Sequence, residues 1–186
     1  MNPADIEDSA RAVLAFWFEE LAPAQWWKVD ADLDAEVSAR FGDLHAALCG
    51  DVGLAWLATP EAALAAVIVL DQFSRNVHRG EGAAFAQDEK ARALAADAIA
   101  KGLDTALPPE RRHFLYMPFM HAETAADQER SIALFSILGE DAERHAREHK
   151  AVFDRFGRFP KRNAALGRAN TPEEAAYLAE SKGGAV

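Results

Sequence analysis

Leu33, Val37, Phe41, Leu44 and Leu48 recur at steps of four, four, three and four. That spacing puts five apolar side chains on one face of an α-helix and would scatter them over both faces of a strand. Leu14, Trp17, Phe18 and Leu21 repeat the pattern near the start of the chain. Runs of alternating β-branched residues are absent. Val67-Ile68-Val69 is the one candidate, and it lies inside a longer helical pattern. Alanine, the best helix former, makes up about a fifth of the chain. These features predict an all-α fold with no sheet.

Glycine, proline and capping residues divide the pattern. The first helix is predicted from Pro3 to about Glu20, ended by Pro23. A second starts near Asp30 or Asp32 and ends at Gly50. Thr59-Pro60 opens a third that runs to about Val77, with threonine as N-cap and proline at the first helical position. A fourth is predicted from Ala83 to Lys101, and Pro108-Pro109 opens a fifth that Pro118 must kink or end. Thr124 caps a sixth running to about Leu138, and a seventh covers Asp141 to Phe156. Thr171-Pro172-Glu173-Glu174 reads as a capping box opening a last short helix. Seven to nine helices joined by short loops imply antiparallel hairpins. At 186 residues the chain is expected to form one domain over residues 1–180, with a frayed tail over 181–186.

Thirty acidic against twenty basic residues give a net charge of −10. That balance argues against nucleic-acid or anionic-membrane partners, which need a positive field. The longest apolar run, Ala62 to Leu70, is nine residues, whereas a membrane span needs about twenty. The first eight residues are acidic where a signal peptide is basic. One cysteine, Cys49, allows no internal disulfide, so a reducing, cytoplasmic location is expected. Cys49 itself reads as a small buried hydrophobe.

Polar chemistry concentrates in four blocks. The first spans Leu70 to Gly80, where an apolar helix turns polar. Asp71 and Arg75 share a face, with Gln72, Asn76 and Arg79 on the adjoining stripe. A structural network and a ligand-facing role both fit this block. The second block follows the Pro118 break, where His121, Glu123, Asp127 and Gln128 could act as general base or metal ligands. Thr124 with Asp127 also reads as a simple helix cap. The third is His145 with His149, a pair at i, i+4 that could hold one metal or lie on a solvated face. The fourth, Arg155 to Arg168, carries five bases and no acid, including Arg158 and Arg162 beside Asn163. Arginine forks suit carboxylates and phosphates. The phosphate-loop, nucleophile-elbow, His-Glu-x-x-His and Cys-x-x-Cys signatures are all missing.

Several of these blocks together resemble a family. Phe16-Trp17-Phe18, Trp26-Trp27, Leu70 to Asn76, Phe114 to Glu123 with Asp127-Gln128, and Arg155 to Arg168 with Thr171 to Glu174 look like the bacterial domain of unknown function numbered 924. The family pattern more often has an aromatic where this chain has His145, which weakens the metal reading of that pair. The resemblance implies an all-α fold similar to tetratricopeptide-repeat superhelices and no established activity.

The expectation drawn from the blocks is a binding protein without cofactor or resident metal. Its polar cleft would take a small anionic ligand or a carboxylate-bearing peptide. Asp71, Gln72, Arg75, Asn76, Arg79, Gln128, Arg158, Arg162 and Asn163 are the expected ligand-binding residues. The alternative is a hydrolase-like enzyme using His121, Glu123, Asp127 or His149, with or without a metal. In either case the three larger blocks are expected to converge, because charges that are costly to bury alone can pair with one another.

Overall fold

The computed structural model describes residues 1–180, and the tail expected to fray, 181–186, lies outside the described residues. Among the described residues there are eight helices, several short 3₁₀ turns and no strand. Helix α1 covers Pro3–Ala15 and widens into a π-helical turn over Phe16–Glu20. Helix α2 is Ala31–Gly50. Helix α3 runs from Pro60–Ile68 through a second π-helical turn, Val69–Phe73, into Ser74–Val77. The remaining helices are α4 (Asp88–Ala100), α5 (Pro109–Met120), α6 (Ala125–Ser136), α7 (Glu140–Phe156) and α8 (Pro172–Glu180). No helix is long and apolar enough to cross a membrane among these residues.

The capping residues explain most helix starts. Thr59 and Thr124 each accept a hydrogen bond from the backbone N–H three residues on, Ala62 and Asp127. Thr171 and Glu174 form the reciprocal box, with Thr171 Oγ1 accepting from the Glu174 amide and Glu174 Oε2 accepting from the Thr171 amide. The fourth helix starts later than its pattern suggests. Gly82–Phe85 forms a separate 3₁₀ turn, and Gln87 sits at φ −102°, ψ 1°, outside the helical region. Asp88 then occupies the first turn, where the helix dipole favours an acid. Helix α6 stops at Ser136, two residues early, and Gly139 turns the chain at φ 119°, a value that glycine alone adopts readily. Pro118 lies inside α5, two residues before its end. The carbonyls of Met120 and Ala122 just beyond accept from Gln128 Nε2 at 2.9 and 2.7 Å.

The chain divides into two compact units. The first comprises Met1–Arg79 and Ala83–Pro118, and the second comprises Gly80–Gly82 and the described residues from Phe119 onward. In the first unit α3 is the centre, packed against α1, α2 and α4. Every side chain from Ala62 to Ser74 is buried. Ala62, Ala63, Ala65 and Ala66 on α3, and Ala91, Ala95 and Ala98 on α4, are small enough to let the helices approach closely. The π-helical turns of α1 and α3 meet there. Phe16, Trp17 and Phe41 pack on Phe73 at ring-centroid separations of 6.0, 5.6 and 5.0 Å.

The second unit has a smaller apolar core. Helices α6 and α7 pack as a hairpin. Phe119, Met120, Phe135, Ala146, Phe159 and Pro160 are buried alongside the polar Asp127, Gln128, Ser131, Asn163 and Glu174. Gly157 ends α7 in the left-handed conformation, and the chain turns through the 3₁₀ segment Pro160–Arg162 toward α8.

Candidate functional site

The first polar block lies on the last turns of α3. A π-helical turn carries one more residue than an α-helical turn, so it shifts the apolar register and brings both Asp71 and Gln72 inside. Arg75 pairs with Asp71 at 3.2 Å and, through a two-pronged contact at 3.0 and 3.1 Å, with Asp88 on α4. Its guanidinium also donates to the Asp71 carbonyl. Gln72 Nε2 donates to Asp71 and approaches the Met117 sulfur at 3.0 Å. Asn76 Nδ2 and Arg79 Nη2 donate to Asp34 on α2 at 2.8 and 2.7 Å. Asp34 is pushed up by partial burial, but Arg79 and Asn76 outweigh that and hold it below its ordinary value. Both arginines of this block thus meet carboxylates of their own unit.

His45 extends this polar interior, with Nε2 2.8 Å from Ser74 Oγ and Cys49 Sγ 3.5 Å away. Burial pushes the Cys49 thiol up, and Lys90 opposes the shift only partly. A thiol so shifted is a poor nucleophile at neutral pH. Elsewhere in the unit, a groove of about 740 Å³ opens between α1 and the start of α3. It is lined by Ile6, Ala10 and Leu14 with Glu7 and Glu61, and it holds none of the candidate ligand-binding or catalytic residues.

The second unit gathers the other candidates into a chain of contacts. Glu123 accepts from Arg168 Nη1 and Nη2 at 2.7 and 3.0 Å and from the Phe159 amide at 2.7 Å. Burial pushes the Glu123 carboxyl up, but Arg168, the Phe159 amide and more distant Arg162 hold it below the usual range. Arg168, at the end of the basic segment, thus binds Glu123. Arg162 instead donates to the His121 carbonyl at 2.9 Å and lies over the Phe159 ring, 5.0 Å from its centroid. Asp127 is buried beside its cap, accepting from the Thr124 hydroxyl at 2.6 Å. Arg158 binds Glu174 through two nitrogens at 2.6 and 2.8 Å. Asn163 Nδ2 reaches Asn170 at 2.8 Å and Glu174 at 3.3 Å.

The two histidines of α7 behave differently. His145 is exposed and faces Glu148 at 3.2 Å. His149 is half-buried, with Nδ1 2.8 Å from the His145 carbonyl. Its ring centroid lies 6.3 Å from that of His121 and 6.0 Å from that of Phe159. Burial, then the neighbouring charges of His121 and Arg162, bring His149 down to about 3. At neutral pH it is a neutral ring in a positive field, and too weak a base to lead general-base catalysis. Among the described residues no three His, Cys, Asp or Glu side chains come together as a metal site.

Sequence reasoning passed over Phe159 as the platform between Arg162 and His149, and it missed Arg168 as the partner of Glu123. Both lie in the basic block that stood out from 155 to 168, so the segment was visible and the assignment within it was not.

The sequence model for bacterial proteins of unknown function called DUF924 matches residues 13–182. The chain belongs to this family. A solved structure of a protein of unknown function from Agrobacterium tumefaciens is 40% identical to it. The match covers 96% of this chain and 97% of that one, with a TM-score of 0.83. A comparison with functionally curated proteins returns no match. The DUF924 match takes in all four polar blocks, and it carries no activity with it.

The acid sensitivity of the second unit follows from its carboxylates. The Arg158 guanidinium, with the Thr171 amide, holds Glu174 at about 2, against an ordinary value of 4.5. A carboxylate lowered on folding contributes stability that is complete above its unfolded value and is lost as pH falls through its folded value. Stability should therefore decline from about pH 4.5 toward pH 2. Glu174→Gln should flatten the decline in urea titrations read between pH 5 and pH 2.5. An unchanged slope in that variant would remove Glu174 from the account.

Proposed function

We propose that this protein is an anion-binding protein whose site lies in the second unit, around His121, His149, Phe159 and Arg162. The observation that carries the reading is the gathering of the His149 imidazole and the Arg162 guanidinium on the buried Phe159 ring, with the His121 imidazole beside His149. The nearby carboxylate Glu123 is engaged by Arg168 and the Phe159 amide. The affinity of His149 for a proton is depressed first by burial and then by the charges of His121 and Arg162. A bound anion would relieve that field. Hydrolysis through Glu123 or Asp127 has less support, because one is held by Arg168 and the other by its helix cap.

Arg162→Ala separates a ligand site from a purely structural network. The variant removes the charge-assisted hydrogen bond to the His121 carbonyl and should cost about 1.5 to 3 kcal/mol. Sulfate or phosphate at about a hundred times its dissociation constant should stabilise the natural protein by about 2.7 kcal/mol and leave the variant unchanged. Thermal denaturation with and without the anion reads both effects. A loss above about 3 kcal/mol on mutation, with equal anion stabilisation in both proteins, would make Arg162 structural and overturn the reading.

A further inference from the structure

We propose that the groove between α1 and the start of α3 binds a linear aliphatic amine, its alkyl chain on the apolar floor and its ammonium group among the carboxylates of the rim.

Every residue lining this groove belongs to the first unit. Its volume, about 740 Å³, falls in the range of about 300 to 1,000 Å³ for small-molecule sites. The groove follows α1 and its π-helical turn from Pro3 to Glu19, about 24 Å at a rise of about 1.5 Å per residue. That volume over that length gives a mean section of about 30 Å². An α-helix with its side chains is about 10 to 12 Å across, a section of about 80 Å² or more, so the groove seats no helix. A single extended chain fits it.

The walls decide which chain. Ile6, Ala10, Leu14 and Ala62 are buried apolar side chains, and the alanines leave room above them because a methyl group fills little space. Helix α1 uses its backbone groups within the helix, and the Thr59 oxygen accepts from the Ala62 amide as the cap of α3. An extended peptide on this floor would leave its own N–H and C=O groups unpaired, at a cost for each. An alkyl chain has no such groups and removes apolar surface from water.

The rim selects the head group. Glu7, Glu19 and Glu61 are exposed, and none has a hydrogen-bond or ion-pair partner among the described residues. The bases are fewer. Arg11 is matched by Asp8 at 2.6 Å, and Arg111 lies over the Phe18 ring, 5.2 Å from its centroid. Carboxylates thus outnumber the guanidinium that no acid matches. A primary ammonium, charged below about pH 10, complements this rim, and a carboxylate head is repelled by it. The net charge of −10 attracts a cation from a distance and keeps the protein off anionic membranes, so the amine is taken from solution.

Calorimetric titration of the intact protein with dodecylamine at pH 7, below its micelle concentration, tests this. The expected result is saturation at one amine per chain. Decylamine should bind about tenfold more weakly, since a buried methylene contributes up to about fourfold in affinity. Dodecanoate, with the same tail and the opposite head, should also bind about tenfold more weakly or less. Glu7→Gln, Glu19→Gln and Glu61→Gln together should weaken dodecylamine about tenfold and close the gap to dodecanoate. Ala58→Phe fills the groove from an exposed position and should abolish binding with the melting temperature unchanged. Ala55→Phe, at a second exposed lining position, repeats that test if Ala58→Phe melts early. Dodecanoate binding as tightly as dodecylamine to the natural protein would overturn the amine. Amine binding that ignores both phenylalanine variants, or that never saturates, would be adsorption elsewhere and would overturn the site. Two further results would overturn the proposal by giving the groove another occupant. One is no amine binding with a dimer in sedimentation that Ala58→Phe dissociates, which assigns a second copy. The other is no amine binding with tight binding of a lysine-rich peptide, which assigns a protein partner.

Discussion

Arg75→Ala should destabilise the protein by about 3 to 5 kcal/mol, the range for removing one partner of a buried ion pair. The reason is what the substitution leaves behind. Asp71 is 1% exposed and Asp88 is mostly covered, so two carboxylates would remain with their shared cation gone. A loss of that size is a large share of the stability of an ordinary domain, about 5 to 15 kcal/mol. Arg75→Met combined with Asp71→Leu should recover only part of it, because the apolar pair needs no partner while Asp88 still loses its cation. Urea denaturation reads the loss for Arg75→Ala, and Arg75→Met, Asp71→Leu and their combination, treated as a cycle, give the coupling. A loss below about 1 kcal/mol for Arg75→Ala would show that the network is not what holds α3 to α4. Arg75 would then return to the ligand-binding role that its sequence block first suggested.

Phe73→Ala should cost a similar amount, about 3 to 5 kcal/mol, for a different reason. Phe73 is fully buried where the two π-helical turns meet, against Phe16, Trp17 and Phe41. Those rings belong to three helices, and none can close the cavity without moving its own helix. For a chain of 186 residues such a loss lowers the melting temperature by on the order of 10 °C. Phe73→Leu, which keeps most of the volume, should cost clearly less. Melting curves of the two variants check the pair. Equal losses would mean that ring shape, and not cavity volume, sets the cost.

The two predictions differ in how readable their residues were. Phe73 lies three residues past Leu70, the end of the apolar run, so helical spacing keeps it on the face of that residue. Asp71 and Arg75 could be matched as neighbours four apart, but Asp88 could not be added to them. Its helix was expected to begin at Ala83, and a carboxylate in mid-helix would have pointed elsewhere. The same holds for Asn76 and Arg79, whose common partner Asp34 lies 42 and 45 residues away. In the second unit the surplus of bases over 155–168 was evident, whereas the choice of Arg168 for Glu123 depends on a backbone path through Gly157, Pro160 and Gly167. The π-helical turns escaped detection for a related reason. They add one residue to a turn, and a stretch buried on every side has no polar face by which such a shift could be noticed.

The sequence by itself determined the helices, their caps and the absence of strands among the described residues, because each depends on side chains within four residues of one another. It also determined which segments hold the polar groups, since charges interrupting apolar runs are visible without a fold. The tertiary structure decided the pairings, giving Arg75 to Asp88, Arg79 to Asp34 and Glu123 to Arg168. It also decided that His149, and not His145, sits in a positive, half-buried setting. Helical periodicity says which way a side chain faces on its own helix. Which charge it meets depends on how distant helices are stacked, and that is set by the volumes of the alanines and aromatics packed between them.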